Sequence, residues 1–278
     1  MSDPTRYTQS NRAAWDASAA QHAQGPRWQR LLSGFAQPGF STFDATATAL
    51  LQRAGIQGGR VVQVGCNIGS EVLSCRALGA AAGWGIDISA EFLHLAERLN
   101  QQAGHPARFV QADIYALPDS VPRDFDIALI TIGVLNWMPD LPAFFRAVGG
   151  LLAPGGRLVV YETHPFLDMF EPAGATPHTP TRSYFRAQPD VLSQARVYDG
   201  SEAGAAPPSY WFAYPLGDVV TASVQAGFAL QALREFPHCN REVAYLQYEG
   251  QEAQMPLCYT VLSRWTPASD RDDGGDKI

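Results

Sequence analysis

Apolar positions along the chain change period in a way that predicts a layered fold. Val61-Val62-Gln63-Val64 reads as a buried strand that stops at Gly65, turns tightly to Gly69 and opens a helix. Val72, Leu73, Ala77 and Leu78 give that helix an apolar face before Gly79. Trp84–Asp87 is a second strand, and Ser89 caps a helix whose Phe92, Leu95, Ala96 and Leu99 fall at i, i+3, i+4 and i+7. Arg108–Gln111 is a third strand, leading into Ala112-Asp113-Ile114. Phe125–Thr131, nearly all apolar, is a fourth, buried on both faces. Leu141, Phe144, Phe145, Val148 and Leu152 line the next helix, Ala153-Pro154-Gly155-Gly156 ends it, and Leu158–Glu162 is a fifth strand. Such an alternation predicts an α/β fold, doubly wound, with a ligand crevice at the carboxyl ends of its parallel strands.

Outside residues 55–164, the core around the expected ligand crevice, the pattern changes. Residues 1–54 carry helical patterns broken at Gly25-Pro26 and Pro38-Gly39, then a helix from Phe43 to Ala54 ended by Gly55. Tyr7, Asn11, Trp15 and Ala19 are spaced by four and stack on one helix face, which suits a covering helix. Residues 165–215 are rich in proline, with a Tyr184-Phe185 pair and Pro207-Pro208, and read as an inserted lid or substrate cap. Residues 216–265 return to helix (Leu216–Ala226) and strands (Phe228–Phe236, Leu257–Trp265), completing one domain over 1–278. The acidic, glycine-rich tail, 266–278, is expected to be disordered.

Composition narrows the function. Twenty Lys and Arg face 27 Asp and Glu, giving a net charge of −7, and the only lysine is Lys277. That argues against nucleic acid and polyanionic substrates. No stretch approaches the roughly 18–20 apolar residues of a membrane span. Cys66, Cys75, Cys239 and Cys258 form no C-x-x-C pair and no signal peptide opens the chain, so free thiols in the cytoplasm are expected. The histidines lack metal-ligand spacing, and no metal is expected. These values are compatible with a small-molecule partner and with a monomer or homodimer.

Candidate chemistry sits at the strand ends. Gly65–Gly69 can present backbone N–H groups to a polar ligand, and Asp87, 22 residues after Gly65, is placed to hold ribose hydroxyls. Together they predict an adenosine-containing cofactor. Asp113 either reaches that cofactor or caps the turn Asp113–Pro118. Trp137 either roofs the core or flanks the ligand. His164, after the fifth strand, is a candidate general base, or else a structural residue fixed by Pro165. Glu162 is a second catalytic candidate and Tyr7 a third. His178, Tyr184 and Tyr210 are weaker, and His22, His94 and His105 read as surface positions.

These motifs, in this order, resemble the class I S-adenosylmethionine-dependent methyltransferases over roughly residues 55–265. Gly65-Cys66-Asn67-Ile68-Gly69 is similar to the family's cofactor loop and Asp87 to its ribose acid, with Ile88 beside it. Gln111-Ala112-Asp113-Ile114 is similar to the adenine-contacting segment, and Thr131–Trp137, with Gly133, to the segment flanking the methionine part. Leu151-Leu152-Ala153-Pro154-Gly155-Gly156 resembles the turn before strand five. A closer similarity is to small bacterial methyltransferases opening on Asn-Arg-x-x-Trp-Asp, here Asn11–Asp16, with Glu-x-His-Pro-Phe after strand five, here Glu162–Phe166. The resemblance implies a Rossmann-like sheet of seven strands, the last antiparallel and inserted beside the sixth. It implies S-adenosylmethionine as cofactor, S-adenosylhomocysteine as product, and in-line methyl transfer to a small acceptor through an unspecified N, O, S or C atom. Two positions depart from the pattern: Gln63, where Asp or Glu is usual, and Asn67, where glycine is usual. Asn tolerates left-handed backbone, so position 67 can still turn. Alternatives are a non-catalytic protein binding the same cofactor, suggested by Gln63, and an NAD(P)-dependent oxidoreductase. The latter wants G-x-G-x-x-G, whereas the spacing here is G-x-x-x-G.

Overall fold

A computed structural model describes residues 4–104, 107–195 and 204–266. The expected disordered tail, apart from Thr266, and His105 lie outside the described residues. The central strand β1 (Arg60–Val64) runs parallel to β2 (Ala82–Asp87) on one side and β4 (Phe125–Thr131) on the other. Beyond β2 lies β3 (Arg108–Gln111), and beyond β4 lies β5 (Leu152–Thr163). The chain then leaves the sheet for a separate antiparallel pair, β6 (Asp190–Gln194) and β7 (Ala205–Trp211). It returns as β8 (Phe228–Phe236) and β9 (Cys258–Trp265), with β9 antiparallel to both β5 and β8. The order is β3-β2-β1-β4-β5-β9-β8. This is the expected sheet, with its last strand inserted beside the sixth.

Strand alternation assigns the two covering layers. Along β4, Ile127 and Leu129 pack with Leu51 and Ala54, at the end of helix α3 (Ala45–Arg53), and with Cys75 of α4 (Ser70–Ala77). Ala128 and Ile130 point the other way, into Phe144, Phe145 and Val148 of α6 (Leu141–Gly149) and Val219 of α7 (Leu216–Ala226). Every β4 residue after Asp126 is buried, as its unbroken apolar run requires. Helices α1 (Pro4–His22) and α2 (Gly25–Phe35) pack on α5 (Ala90–Ala103) in a third cluster around Trp28, Phe92 and Leu99.

Local chemistry sets the boundaries. The helix expected from Phe43 begins at Ala45, because the Asp44 carboxylate accepts the Ala47 N–H and marks the N-cap. Ser89 and Asp140 cap α5 and α6 in the same way. The expectation for Ala153–Gly156 needs correcting. Helix α6 stops at Gly149, and β5 already begins at Leu152. Pairing jumps from Phe125–Leu152 to Ile127–Arg157, so the glycine-rich segment is an excursion within the strand, with Gly155 at φ +78°.

The insertion at 165–215 forms a short 3₁₀ turn (Pro165–Met169) and the β6–β7 hairpin, which packs against α1. Ser10 donates to the Pro208 carbonyl at 2.6 Å, and Asn11 bonds the backbone of Tyr210 in both directions. No described helix is long and apolar enough to cross a membrane.

Candidate active site

At the carboxyl ends of β1, β2 and β4 lies a cavity of about 840 Å³, within the usual size of a ligand pocket. Gln63, Gly65, Cys66 and Asn67 form one wall, Asp87, Ile88, Asp113 and Ile114 a second, and Thr131, Gly133 and Trp137 a third. All but one of the residues expected at the cofactor therefore converge on it. Gly69 is the exception. Its φ of +71° lets the chain turn into α4, and its Cα lies against Phe109 and Ala96, where a Cβ would meet the Phe109 ring at 2.6 Å. It shapes the loop without lining the cavity.

Backbone geometry explains the turn. Gly65 and Asn67 both have positive φ, +67° and +51°. The amide side chain of Asn67 accepts the Ile68 N–H at 2.9 Å, which supports left-handed backbone where glycine is usual. Asp87 accepts the Asn67 N–H at 2.7 Å and the Ser89 N–H at 2.9 Å. The expected ribose acid thus also ties β2 to the glycine turn. Burial raises its pKa, against the backbone donors that favour the charged form. Asp113 caps its turn and stands in the cavity wall: its Oδ1 accepts the Tyr115 N–H at 3.0 Å.

Gln63 is buried and lies in a polar knot. Its Nε2 donates to Glu71 and, at 2.9 Å, to Thr131 Oγ1, and Thr131 Oγ1 donates to the same Glu71 oxygen. Arg241 reaches in from the loop after β8 to meet the other Glu71 oxygen at 2.5 Å. Glu71, Arg241 and Glu242 were not among the sequence candidates. Glu71 could have been suspected as the first acidic residue of α4; nothing in the sequence draws residue 241 to residue 71.

A second cavity of about 340 Å³ adjoins the first, sharing Trp15, Ile132, Gly133, Trp137 and Glu242. Its wall is aromatic: Trp137 meets Trp15 and Trp211 edge to face at 5.1 and 5.0 Å, and Tyr214, Tyr245 and Tyr259 complete it. Three carboxyls also line it. Burial pushes Glu162 up to about 7 although it accepts the Gly133 and Leu135 N–H groups, the latter at 3.3 Å. Burial pushes Asp168 up to about 6, opposed by Arg186, and raises Glu242, opposed by Arg27 and Arg241.

His164 lines this chamber with both ring nitrogens engaged. Its Nδ1 accepts the Phe166 N–H at 3.1 Å, which leaves the proton on Nε2, donated to Glu235 Oε1 at 2.9 Å. Burial lowers its pKa, with Glu235 pulling the other way. Tyr7 lies elsewhere: it lines neither cavity, and its ring packs edge-on against Tyr210 and Phe212 at 4.8 and 5.3 Å. Of the weaker candidates, the Tyr184 hydroxyl accepts the Leu216 N–H at 2.8 Å, and His178 packs on Tyr248. Among the described residues, no three His, Cys, Asp or Glu side chains are grouped to hold a metal ion.

Comparison with known proteins agrees with this geometry. Residues 62–158 match a family model described as a methyltransferase domain. Over 103 residues the chain is 32% identical to the ubiquinone biosynthesis O-methyltransferase of Methylococcus capsulatus, covering 37% of this chain and 43% of that protein. Over 116 residues it is 32% identical to the methyltransferase phqN of Penicillium fellutanum, covering 41% and 35%. The chain thus spans less than half the length of these curated relatives. In fold it is similar to an S-adenosylmethionine-dependent methyltransferase from Mesorhizobium loti (22% identity, TM-score 0.52, 80% of this chain and 99% of that one). It is also similar to the 1,6-didemethyltoxoflavin-N1-methyltransferase of Burkholderia thailandensis (15% identity, TM-score 0.54, 96% and 92%), whose structure holds S-adenosylhomocysteine. The antiparallel β9 between β5 and β8 also departs from the all-parallel order of dinucleotide-binding dehydrogenases. By sheet topology the chain has the fold of the S-adenosylmethionine-dependent methyltransferases it is similar to, and residues 62–158, which hold the glycine turn and its acidic partner, match a methyltransferase domain.

Proposed function

We propose that the protein transfers the methyl group of S-adenosylmethionine to a small, flat acceptor held in the aromatic chamber. The observation that carries this reading is the contiguity of the two cavities: Gly133 and Trp137 belong to both walls. A ligand in the larger one and an acceptor in the smaller one meet there. The larger cavity suits the cofactor, with Asp87 and Asp113 placed for the adenosine.

When bound, S-adenosylmethionine supplies a methyl made electrophilic by its sulfonium. The chain's contribution is then placement at roughly 3–3.5 Å in line and exclusion of water. Trp15 on α1 and Trp211 on β7 close the chamber from outside the core. Its carboxyls disfavour an anionic acceptor and favour a neutral or basic one, because burial leaves no room for a second uncompensated negative charge. Glu162, with its pKa near 7, is better placed than His164 to take up a proton there. In this reading His164 is a positioning residue and Tyr7 supports the lid. The small-molecule acceptors named for the Methylococcus and Burkholderia proteins support the substrate class without identifying the substrate.

The test is ligand-induced stabilisation. S-adenosylhomocysteine is expected to raise the melting temperature, NAD and NADP to leave it unchanged, and Asp87→Ala to abolish the rise. Methyl transfer from labelled cofactor to an acceptor library, lost in Asp87→Ala, would exclude a purely binding role. No stabilisation at saturating S-adenosylhomocysteine would overturn the reading.

A further inference from the structure

Charge in the smaller cavity is one-sided. Glu162, Asp168 and Glu242 line it, and among the described residues no lysine or arginine does. His164 also lines it, but burial lowers its pKa and both ring nitrogens are engaged, so it brings no positive charge near pH 7. Two of the carboxyls have cations behind them. Arg186 stands 3.8 Å from Asp168, and Arg27 and Arg241 oppose Glu242. Glu162 has none among the described residues: it accepts the Gly133 and Leu135 N–H groups and feels the repulsion of Glu242. A buried pair of like charges calls for a cation or a proton between them.

Aromatic rings make up much of the remaining wall. Trp137 stands nearly perpendicular to Trp15 and to Trp211, at 74° and 88°, and Tyr214, Tyr245 and Tyr259 lie around them. Burial raises all three phenol pKa values, so these rings stay neutral and none serves as a base near neutral pH. Neutral aromatic rings beside carboxyls are the lining that holds an organic cation out of water. Glu242 is half-buried and lines both cavities, which puts it at the junction where an acceptor meets the cofactor.

Resting on the methyl-transfer reading above, we infer that the acceptor is a small amine that enters as an ammonium ion, held among the tryptophans with Glu162 and Glu242. One N–H proton passes to a carboxylate of that pair, which frees the nitrogen lone pair. The nitrogen bonds the methyl carbon as the carbon–sulfur bond breaks, and sulfur keeps the electron pair of that bond. The positive charge given up by the sulfonium reappears on the methylated nitrogen, again facing the carboxyls. A hydroxyl, thiol or carbon acid would instead place an anion beside them as it gave up its proton.

Calorimetry on the full chain saturated with S-adenosylhomocysteine tests this with amines and alcohols of matched shape. The pairs are benzylamine with benzyl alcohol, 2-phenylethylamine with 2-phenylethanol, and tryptamine with tryptophol. At least one amine is expected to bind about tenfold or more tighter than its alcohol. Glu242→Gln, on a half-buried loop, is expected to remove most of that preference while S-adenosylhomocysteine affinity changes less than about threefold. Trp211→Leu is expected to weaken the amine more than the alcohol. Labelled cofactor should then yield the N-methyl product of the preferred amine, identified by mass. An amine acceptor is ruled out if no amine outbinds its alcohol, if the preference survives in Glu242→Gln, or if an alcohol is methylated instead. If the wild type binds no S-adenosylhomocysteine, the methyl-transfer reading fails, and the amine acceptor with it.

Discussion

Asn11 and Tyr210 stand 199 positions apart, and their contact copies one rung of a β-ladder. Asn11 Oδ1 accepts the Tyr210 N–H at 2.7 Å, and its Nδ2 donates to the Tyr210 carbonyl at 3.3 Å. The same Nδ2 lies 3.4 Å from the Trp137 carbonyl. One buried side chain on α1 therefore joins the β6–β7 pair to a segment that lines both cavities.

Replacing Asn11 by alanine leaves the Tyr210 backbone groups without partners. The expected loss is about 1–3 kcal/mol of stability, read by urea unfolding. The acceptor KM should rise while S-adenosylhomocysteine affinity changes little, since the cofactor wall is built from other residues. Equal losses for cofactor and acceptor would show that Asn11 supports the whole cleft rather than the lid.

Glu162 sets one pH dependence. Its folded pKa near 7 lies above the ordinary 4.5, so the native state keeps a proton that the unfolded chain releases. Stability from this group falls as pH rises from about 4.5 to about 7, by roughly 1–3 kcal/mol. Asp168, near 6, adds to the same slope. Glu162→Gln should flatten the decline, gaining on wild type as pH rises, in unfolding measured at pH 5 and pH 8. A wild-type stability that climbs steadily over that interval with no change in the variant would refute this.

His164 acts with the opposite sign. Its folded pKa lies below the ordinary 6.5, so the unfolded chain takes up a proton first as pH falls. Its contribution is present above about pH 6.5 and is lost below it. His164→Leu should lower stability by about 1–3 kcal/mol at pH 7, because the Phe166 N–H loses its acceptor, and should weaken the loss toward pH 5. Turnover should drop by less than about tenfold; a drop of 10²–10⁴-fold at unchanged KM would instead mark a general base.

Much of this molecule was legible before any coordinates. Strands β3, β4 and β8 match their expected limits, and the glycine turn, Asp87 and Asp113 lie on one cleft as their spacing implied. Such features are local. Period two buries a strand, positive φ favours Gly or Asn, and an acid ends the neighbouring strand, so short windows of sequence determine them. Tyr7 marks the limit. The four-residue stripe of α1 showed which side chains share a face, yet not what covers that face; Trp15 turned to the cavities and Tyr7 to the hairpin. The same holds for Glu235 beside His164 and Arg241 beside Glu71, pairs separated by 71 and 170 residues. A sequence determines the periodicity and chemistry of each element, because those depend on near neighbours along the chain. Which distant charge meets which buried acceptor was decided only by the packing of whole elements, where burial and electrostatics act between residues the chain keeps far apart.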